Sequence, residues 1–280
     1  MSIQFPVAFT KMSGTGNDFI LIDHRTPFLS REEMPGFARA VCERRVSVGA
    51  DGLILIEKSE SADFRWQFLN GDGSWAEMCG NGARCAARFA HTLGIAPARM
   101  RFETVAGIIE AEVTGQSVKL KMTAPTGLRL HEKLPVNDQE QRVHCLNTGV
   151  PHAVLFMEDI QQAPVLDWGR TIRFHERFQP AGTNVNFVQH QGGNGLSVRT
   201  YERGVEGETL ACGTGAVASA IIAGLLGQVQ SPVAVTTSGG EKLTIHFSLV
   251  GQKIADVYLE GPANFIYEGR LHAEAIRTKS

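Results

Sequence analysis

Cysteine is scarce in this chain: five residues in 280, at positions 42, 79, 85, 145 and 212. In a cytosolic protein an odd number at irregular spacing argues against a disulfide framework, so thiols are expected. C-x-x-C is absent, which argues against a thiol redox enzyme. Cys79 and Cys85 form C-x5-C with no matching Cys/His pair, which is not zinc-ligand spacing, so no metal site is expected. Net charge is also close to nil, formally −2, and no block of Lys or Arg is dense enough to track a phosphate backbone. Nucleic acid is therefore not an expected partner. No uncharged apolar run reaches the roughly 18 residues of a membrane span. The opening MSIQFPVAFTKM lacks the basic and apolar regions of a secretory signal, so a cytoplasmic, membrane-free protein is expected. The Gly-rich pieces contain no G-x-x-x-x-G-K-[ST], which excludes a Walker loop.

What is present is ample apolar content, 43%, enough to bury the core of two modest domains or one large one. It is also repetitive. EMCGNGARC at 77–85 places a cysteine before a Gly-Asn-Gly turn that opens onto an apolar run, and ETLACGTGA at 208–216 does the same. The runs Gly80–His91, meeting Gly94, and Ala211–Gly227 read as buried helices. Each is followed by strand-like pairs around a Gly turn: RFETVAGIIEAEV and VKLKM, then VAVTTSGGEKLTIHF and ADVYLEG. Cys79 lies 25 residues before Thr104 and 28 before Gly107; Cys212 stands at the same distances from Thr237 and Gly240. The chain reads as a duplication. The expected fold is α/β of the α+β type: two pseudo-symmetric domains, each a mixed sheet wrapped around a central buried helix. They span 1–124 and 125–262 and join near Ala124-Pro125-Thr126-Gly127, and the segment 263–280 is expected to rejoin the first.

A helix N-terminus offers unpaired N–H groups and the positive end of the macrodipole. Both favour a thiolate, and cysteines so placed are commonly reactive at neutral pH. Gly80, Gly82, Gly213 and Gly215 leave room for a ligand carboxylate or phosphate to reach the backbone. A lone cysteine there is ordinarily a small buried hydrophobe, the reading given to Cys42, Cys85 and Cys145. The duplication sets Cys79 and Cys212 apart. Two thiols on either side of one stereocentre suit a racemase or epimerase, in which a base removes the α-proton from one face and an acid returns one to the other. Helix termini would stabilise the charge that spreads onto the carboxylate. That chemistry requires no cofactor.

KMSGTGNDFILID (11–23), GADGLILIE (49–57), NGDGSWAEMCGNGARCAARF (70–89), NTGVPHAV (147–154), GTNVNFV (182–188) and YERGVEGETLACGTGA (201–216) together resemble the diaminopimelate epimerases. These are enzymes independent of pyridoxal phosphate that interconvert LL- and meso-diaminopimelate. The resemblance implies two similar domains with the active site in the cleft between them, and Cys79 and Cys212 as the acid/base pair. It implies that the backbone of Gly80, Asn81, Gly213 and Thr214 binds the reacting end of the substrate, and that His152 and Glu202 assist proton handling beside it. Asn17, Asn70, Asn184 and Arg203 would make polar contacts with substrate, Arg203 holding the distal carboxylate. It further implies a small-molecule substrate, no cofactor, a role in lysine and peptidoglycan precursor synthesis, and often a homodimer.

The chain departs from the family pattern at Ser13, where histidine is usual, at Gly52, where some members have glutamine, and at Val150, where many have a substrate-contacting asparagine. Val150 bears most on substrate range. A related racemase of another amino acid remains the main alternative, with Arg203, Asn70 and Asn184 favouring a second carboxylate. A phosphate-binding module would not need both thiols.

Overall fold

A computed structural model describes residues 3–76, 78–137 and 139–276, so residues 277–280 of the expected returning segment lie outside the described residues. The chain divides into two units, Met1–Leu120 with Gly261–Ser280, and Lys121–Glu260.

In the first unit the strands are β1 (Val7–Gly14), β2 (Asn17–Asp23), β3 (Gly52–Glu57), β4 (Phe64–Asn70), β5 (Arg99–Thr104), β6 (Gly107–Thr114), β7 (Ser117–Lys121) and the last strand of the chain, β17 (Asn264–Leu271). They pair in the order β17-β1-β2-β3-β4-β5-β6-β7, with β2–β3 and β4–β5 parallel and the other steps antiparallel. Helix α1 (Met34–Cys42) connects β2 to β3, and α2 (Gly80–Thr92) connects β4 to β5.

The second unit holds β8 (Thr126–Val136), β9 (Gln139–Asn147), β10 (Pro151–Phe156), α3 (Val165–Arg173), β11 (Asn184–His190), β12 (Gly195–Glu202), β13 (Gly207–Thr209), α4 (Gly213–Leu225), β14 (Val233–Thr236), β15 (Lys242–Val250) and β16 (Lys253–Pro262). Its order is β8-β9-β10-β11-β12-β14-β15-β16, with β10–β11 and β12–β14 parallel and the rest antiparallel. Strand sense and helix insertion points repeat those of the first unit step for step. Even the short β13 arm on β12 has a counterpart, the Leu69–Trp75 bridge on β4. The duplication seen in the sequence is thus a duplication of topology.

The central helices are built alike, each 13 residues long, with the cysteine as N-cap in extended backbone: Cys79 at φ −144, ψ 118 and Cys212 at φ −119, ψ 104. Each ends where a glycine takes the left-handed conformation, Gly94 at φ 65 and Gly227 at φ 73. The next amides, Ile95 N–H to Ala90 O and Gln228 N–H to Ala223 O, close the same C-terminal motif. Strands from both ends of each sheet reach the one helix: β1, β2, β3 and β6 pack on α2, and β9, β10, β11, β12, β14 and β15 on α4. So tight a wrap requires small side chains on the helix. Ala83, Ala86, Ala87 and Ala90 supply them in α2, and Ala216, Ala218, Ala220 and Ala223 in α4, all buried. Around them Phe19, Phe64, Trp66 and Phe102 fill the first core, and Val217, Ile221, Ile222, Leu243 and Ile245 the second. Each such large side chain contributes about 1.5–3 kcal/mol by leaving water. On the opposite sheet faces, α1 and α3 cover smaller clusters around Phe37 and Val41, and around Val165 and Ile172.

One local reading changes. Thr126 and Gly127 lie inside β8, not in a connecting turn; Gly127 has φ 66, and the register shifts between Thr126 and Arg129. A left-handed glycine within a strand marks a bulge, which in sequence looks like a turn.

Candidate active site

In the first unit the expected site residues gather where β2 begins, β4 ends and α2 begins. The first intrahelical bond of α2 is Ala83 N–H to Cys79 O, 2.8 Å, so the amides of Gly80, Asn81 and Gly82 precede the hydrogen-bonded ladder. Cys79 is half-buried, and its Sγ donates to Asn17 Oδ1 at 3.5 Å. That oxygen faces the thiol because the other end of the amide is held: Asn17 Nδ2 donates to Asp51 Oδ2 at 2.6 Å. Asp51 is in turn bound by Arg44, which also grips Asp18. Burial alone would raise the Asp18 carboxyl, but its bonds to Arg44 and Lys11 outweigh that and hold it at about 2. The result is an ionic cluster that holds the Asn17 amide.

Asn17, Asn70 and Cys79 line a cavity of about 520 Å³ whose walls include Phe19, Phe68, Trp75 and Met78. Asn70 Nδ2 donates to Ser74 Oγ at 2.9 Å, tying the end of β4 to the loop that leads to the cysteine. Asn81 directs its side chain inward, where Oδ1 accepts from Thr15 Oγ1 at 2.9 Å and from the buried Arg84 at 3.0 Å. Its backbone amide, ahead of the helical ladder, is left as a donor to a ligand.

In the second unit the corresponding gathering is at the starts of β10, β11 and α4 and the end of β12. Cys212 is buried, with Sγ 3.6 Å from Thr214 Oγ1. Ala216 N–H to Cys212 O, 2.9 Å, is the first helical bond, so the amides of Gly213, Thr214 and Gly215 precede the ladder. Thr148 Oγ1 donates to Thr214 O at 3.0 Å and steadies the turn. His152 and Asn184 are register partners on parallel β10 and β11. Asn184 Oδ1 accepts the Arg203 amide at 2.8 Å, fixing the end of β12, while Arg203 Nη1 donates to Ala181 O at 2.9 Å.

Burial, reinforced by the nearby positive charge of Arg203, depresses His152 to about 3, so the ring is neutral at physiological pH. Burial also raises the Glu202 carboxyl, opposed by a 2.9 Å bond from Thr209 Oγ1. A depressed imidazole and a raised carboxyl in one unit form the pattern expected of proton-handling groups. Burial pushes the thiols of Cys42 and Cys85 up to about 12 and also raises Cys145.

Within the first unit the structure brings together Asn17, Asn70, Cys79, Gly80 and Asn81, and within the second His152, Asn184, Glu202, Arg203, Cys212, Gly213 and Thr214. Sequence reasoning passed over Asp51, which orients Asn17, and Asn186, which binds His152. The GADG motif contained the first. Two asparagines at i and i+2 in GTNVNFV, on one face of a buried strand, signalled the second. Gly52 has a packing reason: a Cβ there would lie 2.8 Å from Phe68 Cε2 and 2.9 Å from Leu69 O, so Phe68 fills the space. Val150 is half-buried in the turn before β10, where its carbonyl accepts from Thr148 N–H at 3.2 Å.

A family model described as diaminopimelate epimerase matches residues 9–127 and 144–266. The chain belongs to the diaminopimelate epimerase family. The diaminopimelate epimerase of Aquifex aeolicus is 49% identical to it over 96% of this chain and 99% of its own length. That of a Hydrogenobaculum species is 46% identical over 95% and 98%. Among solved structures, a Bacillus anthracis phenazine biosynthesis protein of the PhzF family matches with a TM-score of 0.74 at 14% identity, covering 96% of this chain and 100% of the other. A hydroxyproline epimerase from Agrobacterium vitis matches at 0.67 and 14%, covering 98% and 94%. These structural likenesses speak for the fold, and family membership makes this chain an isomerase of the epimerase kind. Among the described residues, no helix is long and apolar enough to cross a membrane.

Proposed function

We propose that this member of the diaminopimelate epimerase family interconverts LL- and meso-diaminopimelate by two-base proton transfer, with Cys79 and Cys212 as the two bases. One observation carries the reading: each unit of a duplicated fold presents a cysteine as N-cap of its central helix, ahead of three amides outside the helical ladder. In the forward step one cysteine, as thiolate, takes the α-proton from one face of the substrate. The electron pair left on carbon spreads into the carboxylate, whose developing charge the helix-terminal amides stabilise. The other cysteine, as thiol, returns its own proton to the opposite face. Protonation states are then exchanged, ready for the reverse reaction. His152 and Glu202 adjust proton positions beside the reacting carbon, Asn17, Asn70 and Asn184 orient the substrate, and Arg203 pairs with the distal carboxylate. The setting we assign is a cytoplasmic homodimer in lysine and cell-wall precursor synthesis.

The test is incubation with LL-diaminopimelate in deuterated water without added pyridoxal phosphate. Deuterium at the α-carbon and a second stereoisomer are expected. Absence of exchange, or faster racemisation of a monocarboxylate such as histidine, overturns the assignment.

A further inference from the structure

His152 is 1% exposed, and its Nε2 is buried without a hydrogen-bond partner among the described residues. Its other ring nitrogen, Nδ1, lies 3.1 Å from Asn186 Nδ2. The orientation of that amide follows from its neighbours. The same Nδ2 is 3.1 Å from the Ala153 carbonyl, which only accepts, so this end of Asn186 must be the NH₂. Asn186 Oδ1 takes the remaining contact, accepting from Thr200 Oγ1 at 2.9 Å. With both amide hydrogens directed outward, one to Ala153 and one to the ring, Nδ1 has to be the acceptor. A neutral imidazole then carries its proton on Nε2.

The duplication shows that this network is not required to fold the sheet. Gly82 and Gly215, the third residues of α2 and α4, face Ile54 and Asn186 respectively. Ile54 pairs with Leu21 and Phe68, while Asn186 pairs with Val154 and Thr200. Counting along the strands makes Phe19, Ile54 and Phe68 the counterparts of His152, Asn186 and Thr200. All three are apolar and buried in the first unit. The second unit thus replaces a dry cluster by three buried polar groups, which is costly unless each is satisfied. All are, except for one N–H.

We infer that Asn186, locked by Thr200 and Ala153, is a positioning residue that fixes His152 as the Nε2–H tautomer, keeping that N–H as a neutral donor for an acceptor atom of the substrate. The functional half of this inference rests on the epimerase reading; the tautomer stands apart from it.

The experiment uses the full chain labelled with ¹⁵N-histidine, the His152 signals being assigned by their loss in His152→Gln. In the ligand-free wild type the ring proton is expected on Nε2, with Nδ1 in its lone-pair form. Asn186→Asp turns an acceptor toward the ring, so Nδ1 should gain a proton and kcat for diaminopimelate should fall at least about tenfold. Should that variant not fold, Asn186→Ile places the first unit's residue at the same position, and should fold, lose the preference for Nε2–H and lose activity similarly. A wild-type proton on Nδ1, or a ring unchanged in the folded variant, overturns the tautomer assignment. A changed ring with undiminished kcat overturns the positioning role. If the wild type shows the Nε2–H ring but epimerises no diaminopimelate, the epimerase reading falls and the tautomer assignment stands.

Discussion

Gly215 separates packing from chemistry at the second cysteine. A Cβ added there would lie 2.2 Å from Asn186 Oδ1, 3.2 Å from its Cγ and 3.3 Å from Cys212 Sγ. Ordinary contact begins near 3.4 Å, so Gly215→Ala forces the amide to retreat by more than an ångström. Its bonds to Thr200, Ala153 and His152 are now 2.9 to 3.1 Å long, and such a shift stretches them beyond hydrogen-bonding range. Asn186 is fully buried, so no water replaces what is lost, and each orphaned group costs about 1–3 kcal/mol. The helix propensity of alanine returns only about 1 kcal/mol. Net destabilisation of about 2–4 kcal/mol is expected, read as a lower urea midpoint at unchanged slope. Activity should be lost as the sulfur is displaced. Gly80→Ala is the control: no atom lies within 4 Å of its added Cβ, so stability should hold or rise by up to about 1 kcal/mol. A Gly215→Ala protein as stable and active as the wild type, or an equal loss at Gly80, refutes the reasoning.

Cys79→Ala and Cys212→Ala should each abolish epimerisation, while Cys85→Ala stays within several-fold of wild type by stereoisomer assay; equal loss at Cys85 would remove the distinction drawn here. Arg203→Met should lower kcat/KM for diaminopimelate about tenfold to a hundredfold, the worth of a charged hydrogen bond of about 1.5–3 kcal/mol, with the fold intact by circular dichroism. Full activity in that variant would speak for a monocarboxylate substrate. Acid should destabilise the protein through buried histidines. His152 and His144 are depressed to about 3 and about 4 from 6.5, so below pH 6.5 the unfolded chain binds protons that the folded chain refuses. The stability present above pH 6.5 is therefore lost on acidification, by up to about 1.4 kcal/mol per pH unit for each ring. Urea midpoints between pH 7 and pH 4.5 should fall accordingly, less so in His144→Gln; a flat profile would contradict the burial argument.

The fold was legible because its strongest signals are local. An apolar run stopped by Gly94 or Gly227 defines a buried helix, and alternating strands around Gly107 and Gly240 define hairpins, without knowledge of what packs on them. Motif context likewise brought attention to Cys79 and Cys212. What stayed hidden depends on register between distant strands. Asp51 orients Asn17 only because β2 and β3 lie side by side, and Asn186 reaches His152 and Thr200 only because β10, β11 and β12 are neighbours in that order. A buried polar residue in a strand gives no sign in sequence of which partner satisfies it. Thr126 and Gly127 misled for the opposite reason, since a bulge inside β8 uses the same residues as a turn.

The two units show how a repeated fold can be divided between unlike tasks. Both keep what the thiols need: an extended cysteine N-cap, a helix of small residues and a sheet wrapped about it. One difference between them lies in the layer beneath the helix N-terminus. In the first unit Phe19, Ile54 and Phe68 occupy that layer, and the ionisable groups Asp18, Asp51, Arg44 and Lys11 stand outside it, Asp51 holding the Asn17 amide whose oxygen accepts from the thiol. In the second unit the same layer is His152, Asn186 and Thr200, and Glu202 takes the strand position held by Asn70 in the first. The ionisable pair His152 and Glu202, the first lowered and the second raised by burial, therefore stands in the unit of Cys212, while Cys79 lines a cavity that Asn17 and Asn70 share with apolar walls. Under the epimerase reading the reaction needs two proton carriers of the same kind, but the groups that orient the substrate need not be symmetric, because the substituents of the reacting carbon differ. Each unit is then free to diverge around its cysteine and the amides that follow it, which both sequences keep as Cys-Gly-x-Gly.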